Sequence, residues 1–175
     1  MTVLRQLEPS DAAALTDLIC RNRAFLAPWE PAHADSYFTL EGQQEAVELS
    51  LAKQAEGSGF SQVILDETGA VAGRINLNNI VRGAFQSASV GYWLSEDAGG
   101  RGLATRAVNE LAELAFGPLE LHRLEAGTVP ENHRSQAVLL RCGFERFGYA
   151  PCYLQIAGRW RDHLLFQRLN PRMDD

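Results

Sequence analysis

The chain has 175 residues, 46% of them hydrophobic and 22% charged, and its 16 Lys and Arg against 22 Asp and Glu give a formal net charge of -6. That balance fits one water-soluble domain spanning 1–175, able to bury a core of its own, and excludes a disulfide-stapled miniprotein. A sequence pI ≈ 5.2 argues against direct nucleic-acid binding, which needs a basic face to displace counterions.

In chain order, Val3 to Leu7 predicts a short strand ended by Pro9, and Ser10 or Asp11 caps a helix with Leu15, Leu18 and Ile19 at helical spacing. Asn22 to Pro31 predicts a shaped loop, because Pro28 and Pro31 bracket Trp29 and Glu30. A helix follows from about Leu40 to Ala55, with Val47 and Leu51 inward, ended by Gly57 and Gly59. The pattern then turns to period two: Ser61 to Leu65, Ala70 to Asn78 and Ser87 to Leu94 are strands. An amphipathic helix is predicted from Leu103 to Phe116, with Ala104, Val108, Leu111, Ala112 and Ala115 as its apolar face. Leu121 to Val129 is a strand, and Ser135 to Arg141 a helix closed at Cys142-Gly143. Phe144 to Tyr149, Tyr153 to Ile156 and His163 to Arg168 are strands, with Ala157-Gly158-Arg159 as a hairpin turn. This order fits a mixed, mostly antiparallel α/β (α+β) sheet better than a doubly wound one, where strands and helices alternate from the start.

The cysteines Cys20, Cys142 and Cys152 are odd in number and form no Cys-x-x-Cys pair, so reduced thiols in a cytoplasmic protein are expected. His122, His133 and His163 fall on different elements, and no metal site is expected. The N-terminus lacks the apolar run of a signal peptide, and no stretch of about 18 apolar residues occurs, so no membrane partner is expected.

The chemically informative segment is Val90 to Ala107, where a strand ends, Gly99, Gly100 and Gly102 follow, and a helix begins at once. Glycines admit a ligand close to the backbone, and the N–H groups at a helix head suit a phosphate or pyrophosphate. There is no Gly-Lys-Ser/Thr and no dinucleotide fingerprint, and a plain flexible connection remains the alternative. A second segment, Val129 to Phe144, carries Asn132-x-x-Ser135 and then Gly143-Phe144.

Together the two segments resemble the GCN5-related N-acetyltransferase (GNAT) superfamily. Its phosphate loop, Gln/Arg-x-x-Gly-x-Gly/Ala, is met by Gly99-x-x-Gly102-x-Ala104, with Gly99 departing from the first position. Asn22 to Pro31, Val81 to Phe85, Gly148-Tyr149 and Tyr153 to His163 extend the resemblance to the RimJ branch of the RimJ/RimL ribosomal-protein N-terminal acetyltransferases, over essentially the whole chain. The resemblance implies a sheet of about seven strands and about four helices, splayed at the cofactor site, and acetyl transfer from acetyl-CoA to the α-amino group of an N-terminal Ala or Ser, on a ribosomal protein. It implies that Gly100, Arg101, Gly102, Leu103, Ala104 and Thr105 hold the CoA pyrophosphate, with Arg101 and Arg106 either adding charge for the phosphates or simply solvated. The backbone near Trp93 and Leu94 would pair with the pantetheine arm, Trp93 being either a contact or core. Asn132 is either a contact to that arm or a helix cap, and Ser135 is the expected general acid, since Leu139 stands where many relatives carry Tyr. Glu125, Glu67 and Glu30 are open candidates for the base.

From Glu30 to Glu67 there are eight acids against one Lys, whereas Arg141 to Arg172 holds six Arg against two acids. In the implied fold the acidic stretch borders the acceptor cleft, where it would attract a cationic N-terminus, with Trp29 and Glu30 as substrate contacts. A solvated helix face is the plain alternative for most of these acids. Two other functions stay open: the same chemistry on a small amine such as an antibiotic, polyamine or aminoacyl-nucleotide, and an acyl-CoA-binding protein with vestigial catalysis. Monomer and homodimer are both compatible with the sequence.

Overall fold

The computed structural model describes residues 2–173, among which lie seven strands and five α-helices. In chain order they are β1 (Leu4–Gln6), α1 (Ala12–Arg21), α2 (Arg23–Leu26), α3 (Leu40–Ala55), β2 (Phe60–Leu65), β3 (Val71–Val81), β4 (Ser87–Leu94), α4 (Leu103–Phe116), β5 (Arg123–Thr128), α5 (His133–Arg141), β6 (Glu145–Ile156) and β7 (Arg159–Leu169). The strands form one sheet in the order β1-β2-β3-β4-β5-β7-β6, antiparallel except between β4 and β5. This is the mixed, mostly antiparallel architecture expected from the sequence.

Each face of the sheet has its own core. On one, α4 buries Leu103, Ala107, Val108, Leu111, Ala112 and Ala115 among Ile75, Leu77, Leu124 and Leu139. On the other, Leu7, Ala12, Leu15, Val47 and Val63 pack under α1 and α3. Successive strand residues point to opposite faces, so Tyr92 and Leu94 join the α4 core while Trp93 packs with the α1–α3 group. Ala104, expected on the buried stripe of α4, is only half-buried; Leu103 and Ala107, on the helix face turned to the sheet, take that place.

Two local expectations change. The two strands expected over Phe144–Tyr149 and Tyr153–Ile156 are one strand, β6, whose ladder with β7 shifts register between Arg146 and Gly148 and between Ala150 and Leu154. Pro151 and Gly148 break the local pattern, yet β7 supplies pairing on both sides, so the interruptions become bulges rather than ends. Inside the predicted loop 22–31, Arg23–Leu26 forms one helical turn, giving five helices rather than four.

The feature that positions the site is the β4–β5 junction. Pairing runs only through Ser87↔Arg123, Ala88↔Leu124 and Ser89↔Glu125. From Val90 to Leu94, β4 keeps β3 as its partner and leaves its other edge facing a wedge-shaped opening.

Candidate active site

At the wide end of that opening the chain turns through the glycine segment. Gly100 and Gly102 adopt left-handed backbone, φ +77° and +76°, a region that costs other residues but not glycine. A Cβ at either would meet no protein atom within 4 Å, so this cradle is open. Arg106 is the first residue of α4 whose N–H closes a helical bond, onto the Gly102 carbonyl at 3.1 Å. The N–H groups of Leu103, Ala104 and Thr105 precede it and face out of the helix end. An open, positive-ended cradle of this kind fits an anionic diphosphate. Leu103 is buried and anchors the turn, and the Thr105 carbonyl accepts from the Cys142 thiol at 3.4 Å, tying α4 to α5. Arg101 is exposed and donates to the Asp97 carbonyl at 3.1 Å. A cavity of about 240 Å³ opens beside the loop, with Arg101, Leu103 and Arg106 on its wall together with Asp66 and Glu67.

On the α4–α5 side of the opening stands Ser135. Asn132 caps α5 by accepting from the Ser135 N–H at 3.1 Å, which fixes the first turn and with it the serine. The Ser135 Oγ lies 2.9 Å from the Tyr92 hydroxyl. Burial pushes the Tyr92 phenol up to about 12, so it holds its proton throughout the physiological range. A phenol that donates to Oγ leaves the serine's own O–H free for another acceptor. Leu139 is fully buried in the core and cannot reach the opening.

On the opposite face lie the first residues of the acidic stretch, whereas its last two, Asp66 and Glu67, line the cavity beside the glycine loop. Trp29 is 38% exposed, and the Glu30 carbonyl accepts from the Ala157 N–H at 3.0 Å, which joins this loop to the tip of the β6–β7 hairpin. The Glu30 carboxyl is raised to about 7 by burial. Tyr37 follows on a short turn, stacked on His33 at 3.8 Å between ring centroids. Burial, and next the nearby Glu30 charge, raise the Tyr37 phenol as well. Beneath them Arg74, a buried cation of β3, donates from Nε to Asn76 Oδ1 at 3.1 Å and from Nη2 to the Ser61 hydroxyl at 3.4 Å and the Ser50 hydroxyl.

The structure therefore brings Trp93, Leu94, Asn132 and Ser135 to one opening, with the residues 100–105 at its end. The Trp93 side chain packs into the α1–α3 core while its backbone lies on the open edge. Among the three acids weighed from sequence, Glu67 sits in the β2–β3 turn beside the glycine loop, and Glu125 is held by Arg123 at 2.7 Å. Tyr92, Tyr37 and Arg74 were not singled out from sequence. The one available signal was parity: Tyr92 next to Trp93 on a strand must face the other way.

Comparison with known proteins agrees with this arrangement. Residues 2–145 match the acetyltransferase (GNAT) domain family. The chain is 35% identical over 170 residues to the ribosomal protein uS5-alanine N-acetyltransferase of Escherichia coli (strain K12), covering 97% of this chain and 88% of that protein. It superposes on the crystal structure of the ribosomal-protein-S5-alanine acetyltransferase from Vibrio fischeri with a TM-score of 0.92, at 34% identity over 98% of this chain and 94% of that one. It is also similar to Mycobacterium smegmatis RimJ in complex with CoA-disulfide, TM-score 0.93 and 31% identity, covering 98% and 83% of the two chains.

Proposed function

The chain belongs to the acetyltransferase (GNAT) family, and from that premise we propose that it acetylates the α-amino group of a protein N-terminus beginning with Ala or Ser, on a ribosomal protein. It is an N-acetyltransferase that takes its acetyl group from acetyl-CoA. The observation that carries the acceptor is the near-whole-chain similarity to a uS5-alanine N-acetyltransferase, which includes the loop and hairpin around Glu30 as well as the glycine segment.

Acetyl-CoA supplies an acetyl group activated as a thioester. The glycine cradle at Gly100 and Gly102 and the head of α4 bind its diphosphate, and the open edge of β4 at Trp93 and Leu94 offers backbone groups to the pantetheine arm, as an added strand would. The Asn132 side chain holds the first turn of α5 and thereby Ser135. Ser135 holds a proton at Oγ for the departing sulfur, and the Tyr92 hydroxyl, within hydrogen-bond distance of the same oxygen, helps to hold that side chain in place. On the other face Trp29 and Glu30 receive the acceptor, and the surrounding acids favour a cationic terminus. Amine and leaving group thus approach from opposite faces of the sheet.

Incubation with acetyl-CoA and peptides beginning Ala or Ser, followed by mass spectrometry, tests the proposal. An added acetyl on the N-terminal fragment is expected. Acetylation confined to lysine side chains, or to small amines with every peptide untouched, refutes it.

A further inference from the structure

The wedge beside β4 has a second wall, the end of β5. The parallel pairing that stops at Ser89↔Glu125 would, if continued, set Ala126 beside Val90 and Thr128 beside Tyr92. On its far edge β5 is held by β7 as far as Thr128↔Leu164, while its edge toward β4 is free of strand pairing from Ala126 to Thr128. Strand residues two apart share a face, and Leu124 and Ala126 lie in the α4 core with Val90, Tyr92 and Leu139. Thr128 therefore stands on the α4–α5 face, level with Tyr92 and across the wedge from it. Tyr92 reaches the Ser135 hydroxyl on that same face, so three hydroxyl-bearing residues border one gap.

Thr128 differs from its neighbours on that stripe. Leu124 and Ala126 are apolar, as a core position demands, whereas Thr128 is polar although only 5% exposed. Gln136 of α5 donates to the Val129 carbonyl at 3.3 Å and to the Pro130 carbonyl at 2.9 Å, which draws the start of α5 over the end of β5. The Thr128 Oγ1 is buried there and makes no hydrogen bond to any described residue. A buried hydroxyl without a partner costs stability that Val, of nearly the same shape, would avoid. A polar group placed at this cost on the wall of a binding wedge is accounted for when its partner is the ligand.

We propose that the Thr128 hydroxyl donates a hydrogen bond to the carbonyl oxygen of the acetyl group and stabilises the charge that forms there. The inference rests on the acetyl transfer proposed above. Attack by the free amine forms the N–C bond and moves the carbonyl pair onto oxygen, which becomes the oxyanion that Thr128 holds. When the carbonyl re-forms, the C–S bond breaks, and sulfur keeps the electron pair and takes the Ser135 proton. The acceptor's ammonium group loses two protons in all: one goes to solvent before attack, and the other restores Ser135. Thr128 keeps its own proton throughout. Fixed on a strand and shielded from water, its hydroxyl needs no reorganisation as the charge develops. Ser135 and Thr128 thus serve different atoms of one thioester, the sulfur from α5 and the oxygen from β5.

The test is Thr128→Val in the full chain, which nearly keeps the side-chain shape and removes the hydroxyl. With saturating acetyl-CoA and an Ala-initiated peptide, kcat should fall about 100-fold. Thr128→Ser, which keeps the hydroxyl, should stay within about threefold of wild type. Affinity for CoA without its acetyl group, measured by calorimetry, should change less than about twofold in the Val variant. Without ligand that variant should melt no lower than wild type, because an unpaired hydroxyl has left the interior. Wild-type kcat in the Val variant overturns the assignment, and so does a loss of kcat matched by an equal loss of CoA affinity, the result of disturbed packing. If Val does not fold, Thr128→Ala is read against Thr128→Ser: kcat lost in Ala and kept in Ser supports the donor, and equal kcat overturns it. Wild type that acetylates small amines and no peptide refutes the acceptor proposal, and the same comparison on those amines still judges Thr128.

Discussion

Replacing Gly102 with Ala separates backbone strain from ligand clash. Gly102 has φ +76° at the head of α4, and an added Cβ would meet no protein atom within 4 Å. The folded chain thus pays only for a left-handed non-glycine residue, about 1–2 kcal/mol. For a chain of this size that lowers Tm by roughly 2–8 °C. The same methyl group projects into the cradle where the diphosphate must approach the backbone, so CoA affinity should fall at least about tenfold, about 1.4 kcal/mol. Gly57→Ala is the control: φ is +73°, no atom lies within 4 Å of its Cβ, and it follows α3 far along the chain from the loop. Thermal melts should show similar losses for the two variants, while calorimetry with CoA should separate them. Equal CoA affinity in the two variants would refute the placement of the diphosphate at Gly102.

Ser135→Ala should reduce kcat by about 10²-fold or more with CoA binding nearly unchanged, measured by steady-state kinetics and calorimetry. Tyr92→Phe removes the hydroxyl 2.9 Å from Ser135 Oγ and should lower kcat less than Ser135→Ala; in the Ser135→Ala background it should have little further effect on kcat, as a double-mutant cycle would show. Leu111→Ala empties a fully buried position between α4 and the sheet and should cost about 2–5 kcal/mol in denaturant unfolding. The Glu30 carboxyl, raised by burial from 4.5 to about 7 in the folded chain, binds its proton more tightly there than in the unfolded chain. The stability this gives is complete below pH 4.5 and is lost as pH rises through about 7, so Glu30→Gln, always neutral, should melt above wild type at pH 8 and level with it at pH 4.5.

Local signals carried the sequence a long way. The glycine segment, the α4 helix and the capped α5 each lie within one stretch of chain, and each is found close to where the spacing placed it, with Ala107 in place of Ala104 on the buried stripe. What stayed hidden depends on pairing between distant segments. Pro151 and Gly148 look like strand ends until β7 pairs across them. Glu30, Glu67 and Glu125 are equivalent as letters; the Arg123 contact, the β2–β3 turn and the bridge to Ala157 make them different. Asn132 satisfied the capping rule in sequence and does so in the fold, where its oxygen is engaged by Ser135.

The division of labour between the two faces depends on the register of β3 against β4. Tyr92 reaches Ser135 and Trp93 packs under α1 and α3 because adjacent strand residues alternate, and a one-residue slip of β4 would exchange them. Gly73 holds that register. It pairs with Leu94, and a Cβ there would lie 2.2 Å from the Trp93 carbonyl oxygen and 2.9 Å from the Leu94 Cα, so the two backbones come together only because residue 73 has no side chain. The close approach lies just beyond the point where β4 has parted from β5, where β4 has one strand neighbour to align it. An open edge that offers its backbone to a ligand has given up the pairing that elsewhere fixes a strand. The tight Gly73 contact on its other side supplies what that edge lacks, and with it the placement of Tyr92 and Trp93 on opposite faces.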